Sequence, residues 1–324
     1  MSQSPLISVL MPVFNAERYV AKAIASILEQ TLGDFEFLIV NDGSTDRSLS
    51  ILEKYAISDK RIRLISRPNT GYVVALNEML QLAEGEFIAR MDADDIALPE
   101  RFRRQVEFLR QHPEVVCVGG CHDLIDHKGR LLTHLVLPLH DRDIQREALA
   151  GHGSICHPCA MIRRSALLQV GGYDETLMPA EDLDLWLKLG ELGQLANLSD
   201  AILQYRLHSQ SVSEENCLVQ RQKCRIACER AWQRRGIEGT FEASEPWRPG
   251  SDRASRTQFM LRYGWWAFNS RQRTTALIYA VKAILTNPLQ WEGWKLFICA
   301  GVKPLPGGKK GKCGSLVPES IQKR

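Results

Sequence analysis

Two rhythms of apolar and polar positions alternate through the first part of the chain. Leu6 to Val13 (LISVLMPV) is a continuous apolar run with β-branched residues, closed by Pro12 and the turn-prone Asn15, which predicts a buried strand. Ala16 to Gln30 then places Val20, Ala23, Ile24, Ile27 and Leu28 at the period of a one-sided helix. Phe35 to Val40 (FEFLIV) is a second strand, running into Asn41-Asp42-Gly43-Ser44. Ser44 or Thr45 caps a helix reaching about Ile57. Ile62 to Ile65 reads as a short strand, Gly71 to Ala83 as a helix, and Phe87 to Met91 as a fourth strand that meets Asp92-Ala93-Asp94-Asp95. Such alternation predicts an α/β fold, a mostly parallel sheet with helices on both faces.

The pattern loosens afterwards. Pro99 to Gln111 predicts a helix with Pro99 in its first turn. Val115 to Val118 predicts a strand, and His122 to Val136 a hairpin folded about His127-Lys128-Gly129, so antiparallel pairing enters here. Glu181 to Leu192 is amphipathic, with Leu183, Trp186, Leu187 and Leu189 apolar and Glu181, Asp182 and Lys188 opposite. Ile202 to Leu207 is a last strand. After Asn216 the reading is a basic helix over Leu218 to Arg235, a Pro/Gly/Ser-rich linker near 242–255, and helices over Gln258 to Ala267, Thr275 to Leu285 and Trp291 to Val302. Pro304 to Gly314 is a flexible basic end. The division expected is residues 1–216 as the catalytic domain and 217–324 as a basic helical extension.

Charge sharpens that division. Met1 to Asn216 holds 21 Lys+Arg against 31 Asp+Glu, whereas Cys217 to Arg324 holds 20 against 7. An acidic front suits a site for a cation; a basic tail suits an acidic surface such as lipid headgroups or nucleic acid. No secretory signal and no uncharged apolar run of about 20 residues is visible, which predicts a cytoplasmic chain with reduced thiols. Cys156/Cys159 and Cys224/Cys228 have metal-knuckle and one-turn spacing, but neither has a well-spaced partner pair, so the sequence favours ordinary buried thiols.

In an open α/β sheet, ligands bind beyond the carboxyl ends of the strands. Three early strands end in polar residues: Phe14-Asn15-Ala16-Glu17, Asn41-Asp42-Gly43-Ser44 and Asp92-Ala93-Asp94-Asp95. No G-x-G-x-x-G follows the first strand and no G-x-x-x-x-G-K-[ST] occurs, which disfavours a dinucleotide fold or a P-loop. An isolated D-x-D is most often a solvated turn. Three carboxylates ending a buried strand at the ligand crevice point instead to a hard cation, Mn²⁺ or Mg²⁺, which takes oxygen ligands.

Several segments in order resemble the inverting glycosyltransferase family 2, whose fold is called GT-A. They are Ser8 to Asn15 (SVLMPVFN), Val40 to Asp46 (VNDGSTD), Asn69-Thr70-Gly71 with Asn77, Arg90 to Asp95 (RMDADD), His157-Pro158 with Arg163-Arg164, Glu181 to Trp186 (EDLDLW) and Tyr205 to His208 (YRLH). The resemblance covers about Leu6 to Ser213. It implies a nucleotide-sugar donor held by Pro12, Phe14, Asn15, Glu17, Asp42, Asn69, Arg90, Asp92 and Ala93. Phe14 would lie against the base, and Asp42 would accept from its ring N–H. Asp94 and His208 would serve the metal, with Asp95 in support, and Asp182 would be the catalytic base. Family members often have Tyr at Phe14 and Asp at Asn41, which leaves the stacking face intact and makes Asp42 the base reader. Taken alone, Asp182 fits equally a first-turn acid favoured by the helix dipole, His157 a structural turn residue, and His208 a surface histidine.

The resemblance implies single displacement at the sugar carbon, with UDP the default nucleotide and a glycan or lipid-linked acceptor. Two rivals are a nucleotidyltransferase releasing pyrophosphate and a non-catalytic sugar-nucleotide-binding module. The missing phosphate loop speaks against the first, and intact Asp92, Asp94 and Asp182 against the second. Aromatic residues beside Lys and Arg in the tail suggest an anionic membrane surface as partner, through peripheral attachment; a small packed helical subdomain explains them equally, and nucleic acid is not expected.

Overall fold

The computed structural model describes residues 4–208, 217–243 and 253–306. Strands β1 (Ile7–Val13), β2 (Phe35–Asp42), β3 (Ile62–Arg67) and β4 (Phe87–Arg90) alternate with helices α1 (Val20–Leu28), α2 (Ser48–Ser58) and α3 (Tyr72–Leu82). β1 lies between β2 and β4, and β3 flanks β2, all parallel, with Val9 opposite Phe37 and Ala89. These are the parallel units that the first four strands predicted.

Why both faces of this part are covered is written in the strands. Ile7, Val9, Met11 and Val13 enter one core together with Phe35, Phe37 and Ile39, whereas Leu10, Leu38 and Val40 enter a second core. Successive strand side chains point to opposite faces, so a strand buried on both sides reads as one unbroken apolar run. The first core takes α1 through Val20, Ala23, Ile24 and Ile27, and α4 (Arg101–Gln111) through Phe102, Val106 and Leu109. The second takes α3 through Val73, Leu76, Met79 and Leu80, and α7 (Glu181–Leu192) through Leu185, Trp186 and Leu189.

Antiparallel strands complete the sheet. β5 (Ile96–Ala97), β6 (Val115–Asp126), β7 (Leu131–Leu135), β8 (Met161–Arg163) and β9 (Gln194–Leu207) extend it in the order β3-β2-β1-β4-β8-β6-β9-β5, with β7 paired to β6 off that path. β8 pairs antiparallel with both β4 and β6. The predicted turn about Gly129 is present: Gly129 has φ 84°, and the Asp126 carboxylate accepts from the backbone N–H of Lys128 at 2.8 Å and Arg130 at 3.0 Å. Two helices absent from the sequence reading, α5 (Asp141–Leu149) and α6 (Arg164–Gln169), add Ile144, Ala166 and Leu167 to the second core.

The described chain falls into two compact units. The first comprises residues up to His122, Leu137–Tyr205 and the stretch up to Ala243, and it includes α8 (Cys217–Arg235), which packs on α7 through Ala227, Cys228 and Ala231 against Leu183 and Leu187. The second comprises Asp123–Val136, Arg206 to His208 and the C-terminal helices α9 (Arg253–Asn269), α10 (Arg273–Thr286) and α11 (Trp291–Val302). Within it, Tyr279 donates to the Asp126 carboxylate at 3.0 Å, and Leu261, Ala280, Ala283 and Leu296 form a core. Most of the linker expected near 242–255, and the basic end from residue 307 onward, lie outside the described residues.

Candidate active site

The carboxyl ends of β1, β2 and β4 converge on one edge of the first unit, and the loops there are interlocked before any ligand is considered. Asn15 adopts φ 48°, a left-handed conformation that Asn tolerates better than most residues. Its N–H donates to Ser44 Oγ at 3.0 Å, and its side-chain oxygen accepts from Thr45 N–H at 2.8 Å. Glu17 accepts from both the backbone and the guanidinium of Arg47 at 3.0 Å, while its own N–H donates to Asp46 at 3.0 Å. Asn15 and Glu17 therefore fasten the loop after β1 to the loop after β2. Between them and the buried Pro12, Phe14 is left 52% exposed and offers an apolar face.

Asp42, at the end of β2, is buried and fixes the loop after β3. Its Oδ1 accepts from Arg67 at 2.6 Å and Thr70 N–H at 3.0 Å, and its Oδ2 from Gly71 N–H at 2.9 Å. A carboxylate offers about four acceptor positions, so Oδ2 retains one. Gly43, at φ 73°, packs so closely on Asn69 that an added Cβ would lie 2.5 Å from the Asn69 nitrogen. That approach seats Asn69 beside Asp42.

The end of β4 carries the charge. Arg90 is buried and forms an ion pair with Asp92. Burial opposes the Arg90 charge, but Asp92, with Tyr173 and Asp95, more than offsets this and holds the guanidinium protonated. Asp92 and Asp94 are partly buried and Asp95 is buried, with Ala93 packed between them. One carboxylate oxygen from each of the three aspartates falls within 4.8 Å of the others. This is a hard, oxygen-only donor set, and it fits a divalent cation such as Mn²⁺ or Mg²⁺.

The fourth wall is the start of α7. Asp182 Oδ1 accepts from Leu183 N–H at 2.8 Å. Burial raises the Asp182 pKa, the nearby Arg90 guanidinium lowers it, and Asp92 adds to the rise, so the carboxylates of α7 and the β4 end share one electrostatic neighbourhood. Beside it, Glu181 is buried and accepts from the Tyr72 hydroxyl at 2.8 Å. His157 Nδ1 stands 4.0 Å from Glu181 while its Nε2 meets the Tyr173 hydroxyl at 3.1 Å. Burial and Arg90 push the His157 pKa well down, so this ring is neutral and packs edge-on to Trp186.

Residues 8–171, half of the chain, match the sequence profile of glycosyl transferase family 2. The chain belongs to glycosyltransferase family 2. An uncharacterized glycosyltransferase of Haemophilus influenzae is 34% identical over 225 residues, which cover 66% of this chain and 69% of that protein. Among solved structures, S. aureus TarS in complex with UDP-GlcNAc superposes with a TM-score of 0.54 at 19% identity, covering 91% of this chain and 79% of that one. A mannosyltransferase of Pyrobaculum calidifontis in complex with GDP-Man and Mn²⁺ gives 0.53 at 17%, covering 93% and 81%. The mixed sheet flanked by helices is thus the GT-A fold, and the protein is a glycosyltransferase.

As a family 2 glycosyltransferase, the chain gathers Pro12, Phe14, Asn15, Glu17, Asp42, Asn69, Arg90, Asp92, Ala93, Asp94 and Asp182 in its first unit. His208 follows β9 directly, is partly buried and belongs to the second unit. Sequence reasoning did not single out Tyr72, or pair it with Glu181 across 109 positions. Nor did it single out Arg101 on α4. It is fully buried, and its guanidinium donates to the Arg90 carbonyl at 2.8 Å and the Ala160 carbonyl at 3.3 Å, bracing the strand that presents the aspartates.

Glu181 supplies a pH-dependent prediction. Burial and the Asp182 charge push it from 4.5 up to about 7. A folded-state pKa above the unfolded one means that the folded protein holds this proton more tightly. The stabilisation is complete below about pH 4.5 and is lost as pH rises through about 7. Glu181→Gln removes the titration, so urea unfolding of metal-free protein should show the variant gaining on the wild type by roughly 2–3 kcal/mol between pH 5 and pH 8. A wild-type-minus-variant difference that is constant with pH would refute it.

Proposed function

We propose that this glycosyltransferase moves a sugar from a nucleotide diphosphate sugar to a hydroxyl of a glycan or lipid-linked acceptor, with inversion at the anomeric carbon. The observation that carries the reading is the placement of the Asp92, Asp94 and Asp95 carboxylates and of Asp182 in one electrostatic neighbourhood bridged by Arg90. Phe14 offers its exposed ring to the base, and Asp42 its remaining Oδ2 acceptor position to the ring N–H. The interlocked Asn15 and Glu17 hold that loop in place, and Asn69 closes the other side. UDP is the nucleotide proposed here, as in the TarS complex with UDP-GlcNAc.

Asp94, assisted by Asp92, would hold a divalent cation, which would supply charge neutralisation for the diphosphate leaving group. The protein's own residues do the rest. Arg90 pairs with Asp92, Asp182 takes the proton from the attacking hydroxyl, and Glu181 with Tyr72 and His157 sets the position of the α7 start. Because leaving-group charge neutralisation and one base suffice for a single displacement, no covalent intermediate is needed. Incubating the protein with UDP-, GDP- and dTDP-sugars and Mn²⁺ and measuring the released nucleotide tests this. Release of nucleoside diphosphate with an inverted product supports it, while pyrophosphate release or a retained configuration overturns it.

The second unit is proposed to attach the enzyme to an anionic membrane surface. The tail aromatics divide into two sets. Phe268 and Leu296 are buried within the unit and Trp265 packs against them. Trp291, Trp294, Phe297, Ile298 and Val302 cover the outer side of α11, joined by Leu285 and Leu289. Lys295 and Lys303 are also exposed there. Among the described residues no helix is long and apolar enough to cross a membrane, but tryptophan and lysine on one helix suit the membrane–water boundary. Flotation with phosphatidylserine vesicles should show salt-sensitive binding. Replacing Trp291, Trp294 and Phe297 by Ser together should weaken it by roughly tenfold or more. A full-length protein indifferent to vesicles would overturn the attachment.

A further inference from the structure

The pair Cys156 and Cys159, dismissed on sequence spacing for lack of partners, acquires one in three dimensions. His122, on β6, offers a ring nitrogen within 4.8 Å of both sulfurs, which themselves lie within that distance of each other. We propose that His122, Cys156 and Cys159 form a second metal site, of thiolate type and suited to zinc, separate in chemistry from the aspartate cluster.

Three features support it. The first is the donor set. Two sulfurs and an imidazole select a borderline-soft ion such as Zn²⁺, while the oxygen-only cluster of Asp92, Asp94 and Asp95 selects Mn²⁺ or Mg²⁺. Tetrahedral zinc with bonds of about 2.0 to 2.3 Å brings ligand atoms to roughly 3.5 Å from one another, so small side-chain rotations close the site. The three protein ligands leave a fourth position for a solvent molecule.

The second feature is rigidity. The Cys156-His157-Pro158-Cys159 segment is a tight turn in which Cys159 N–H donates to the Cys156 carbonyl at 2.8 Å. Gln105 donates to the Cys159 carbonyl at 2.7 Å and to the Val118 carbonyl at 3.0 Å, tying that turn to the strand bearing His122. β6 and β8 are further fixed by pairing of Cys117 with Ile162 and Val118 with Met161. His122 itself is buried with its ring tilted against Tyr205. Ligands carried on such braced elements need little reorganisation to bind an ion.

The third feature is charge. Arg101 is fully buried, and the groups whose negative charge favours its guanidinium are Cys159, Cys156 and Asp95. Binding one Zn²⁺ displaces the two thiol protons to solvent, and the resulting thiolates add anionic neighbours for the guanidinium beside Asp95. The ion would then fix both ends of the turn that holds His157 beside Glu181.

Cobalt substitution tests the proposal directly, because only thiolate ligands give Co²⁺ intense near-ultraviolet charge-transfer bands. The full-length protein, purified without chelators, is expected to contain one equivalent of zinc and to show these bands on Co²⁺ exchange. The bands should vanish in Cys156→Ser/Cys159→Ser and change in His122→Gln, and persist in Cys224→Ser/Cys228→Ser. His122→Gln keeps both thiols, so it informs even where the double variant folds poorly. Free thiols with no bands, a Cys156–Cys159 disulfide in the purified protein, or bands insensitive to both His122→Gln and the Cys156/Cys159 change would each overturn it.

Discussion

Asp94→Ala is expected to lower glycosyl transfer by at least about 10²- to 10³-fold, the scale on which an enzyme loses a group aimed at developing charge. Breaking the sugar–phosphate bond leaves two negative phosphates, and in the site proposed here the Asp94 carboxylate would hold a cation that neutralises them. Asp94 is partly exposed at a strand end, so its removal opens no cavity in either core. Thermal unfolding should therefore stay within about 0.5 kcal/mol of the wild type, as for surface substitutions generally. Wild-type protein in excess chelator should show the same loss, reversed by Mn²⁺. Undiminished turnover in either arm would remove the metal from the mechanism.

How far this arrangement could be read from sequence depends on whether the physics is local. β1, β2 and β4 were legible because burial on both faces leaves no polar interruption, and the strand ends then announced Phe14, Asp42 and the Asp92–Asp95 cluster. α7 was legible from its apolar stripe. β6 was cut short at Val118, because Gly119-Gly120 reads as a break. In the structure these glycines admit close packing instead: a Cβ on Gly119 would lie 2.3 Å from the Asn197 side chain, and one on Gly120 2.7 Å from Ile202. α5 was missed because DRDIQREAL offers only Ile144, Ala148 and Leu149 to its inner side. What stayed hidden at the site is non-local: the Tyr72–Glu181 bond, the Asn15–Thr45 and Glu17–Arg47 fastenings, and the approach of His122 to the cysteine turn all join residues that no motif window spans.

Asp182→Asn should separate binding from chemistry. The amide keeps the volume of the carboxylate, and its oxygen can still accept from Leu183 N–H as Oδ1 does at 2.8 Å. What it cannot do is take a proton from the attacking hydroxyl. Loss of a positioned general base costs about 10²- to 10⁴-fold. Donor affinity by calorimetry should shift by less than about threefold, since under 1 kcal/mol separates the two states of a group that does not touch the donor's phosphates. The direction of the Asp182 pKa adds a second readout. Burial raises it, so the acidic limb of the wild-type rate profile should stand above the ordinary carboxylate range, and that limb should disappear in the residual activity of the variant. If donor affinity and rate fall together, Asp182 holds the donor or the fold. The base must then be sought elsewhere at the start of α7, where Glu181 is the neighbouring carboxylate.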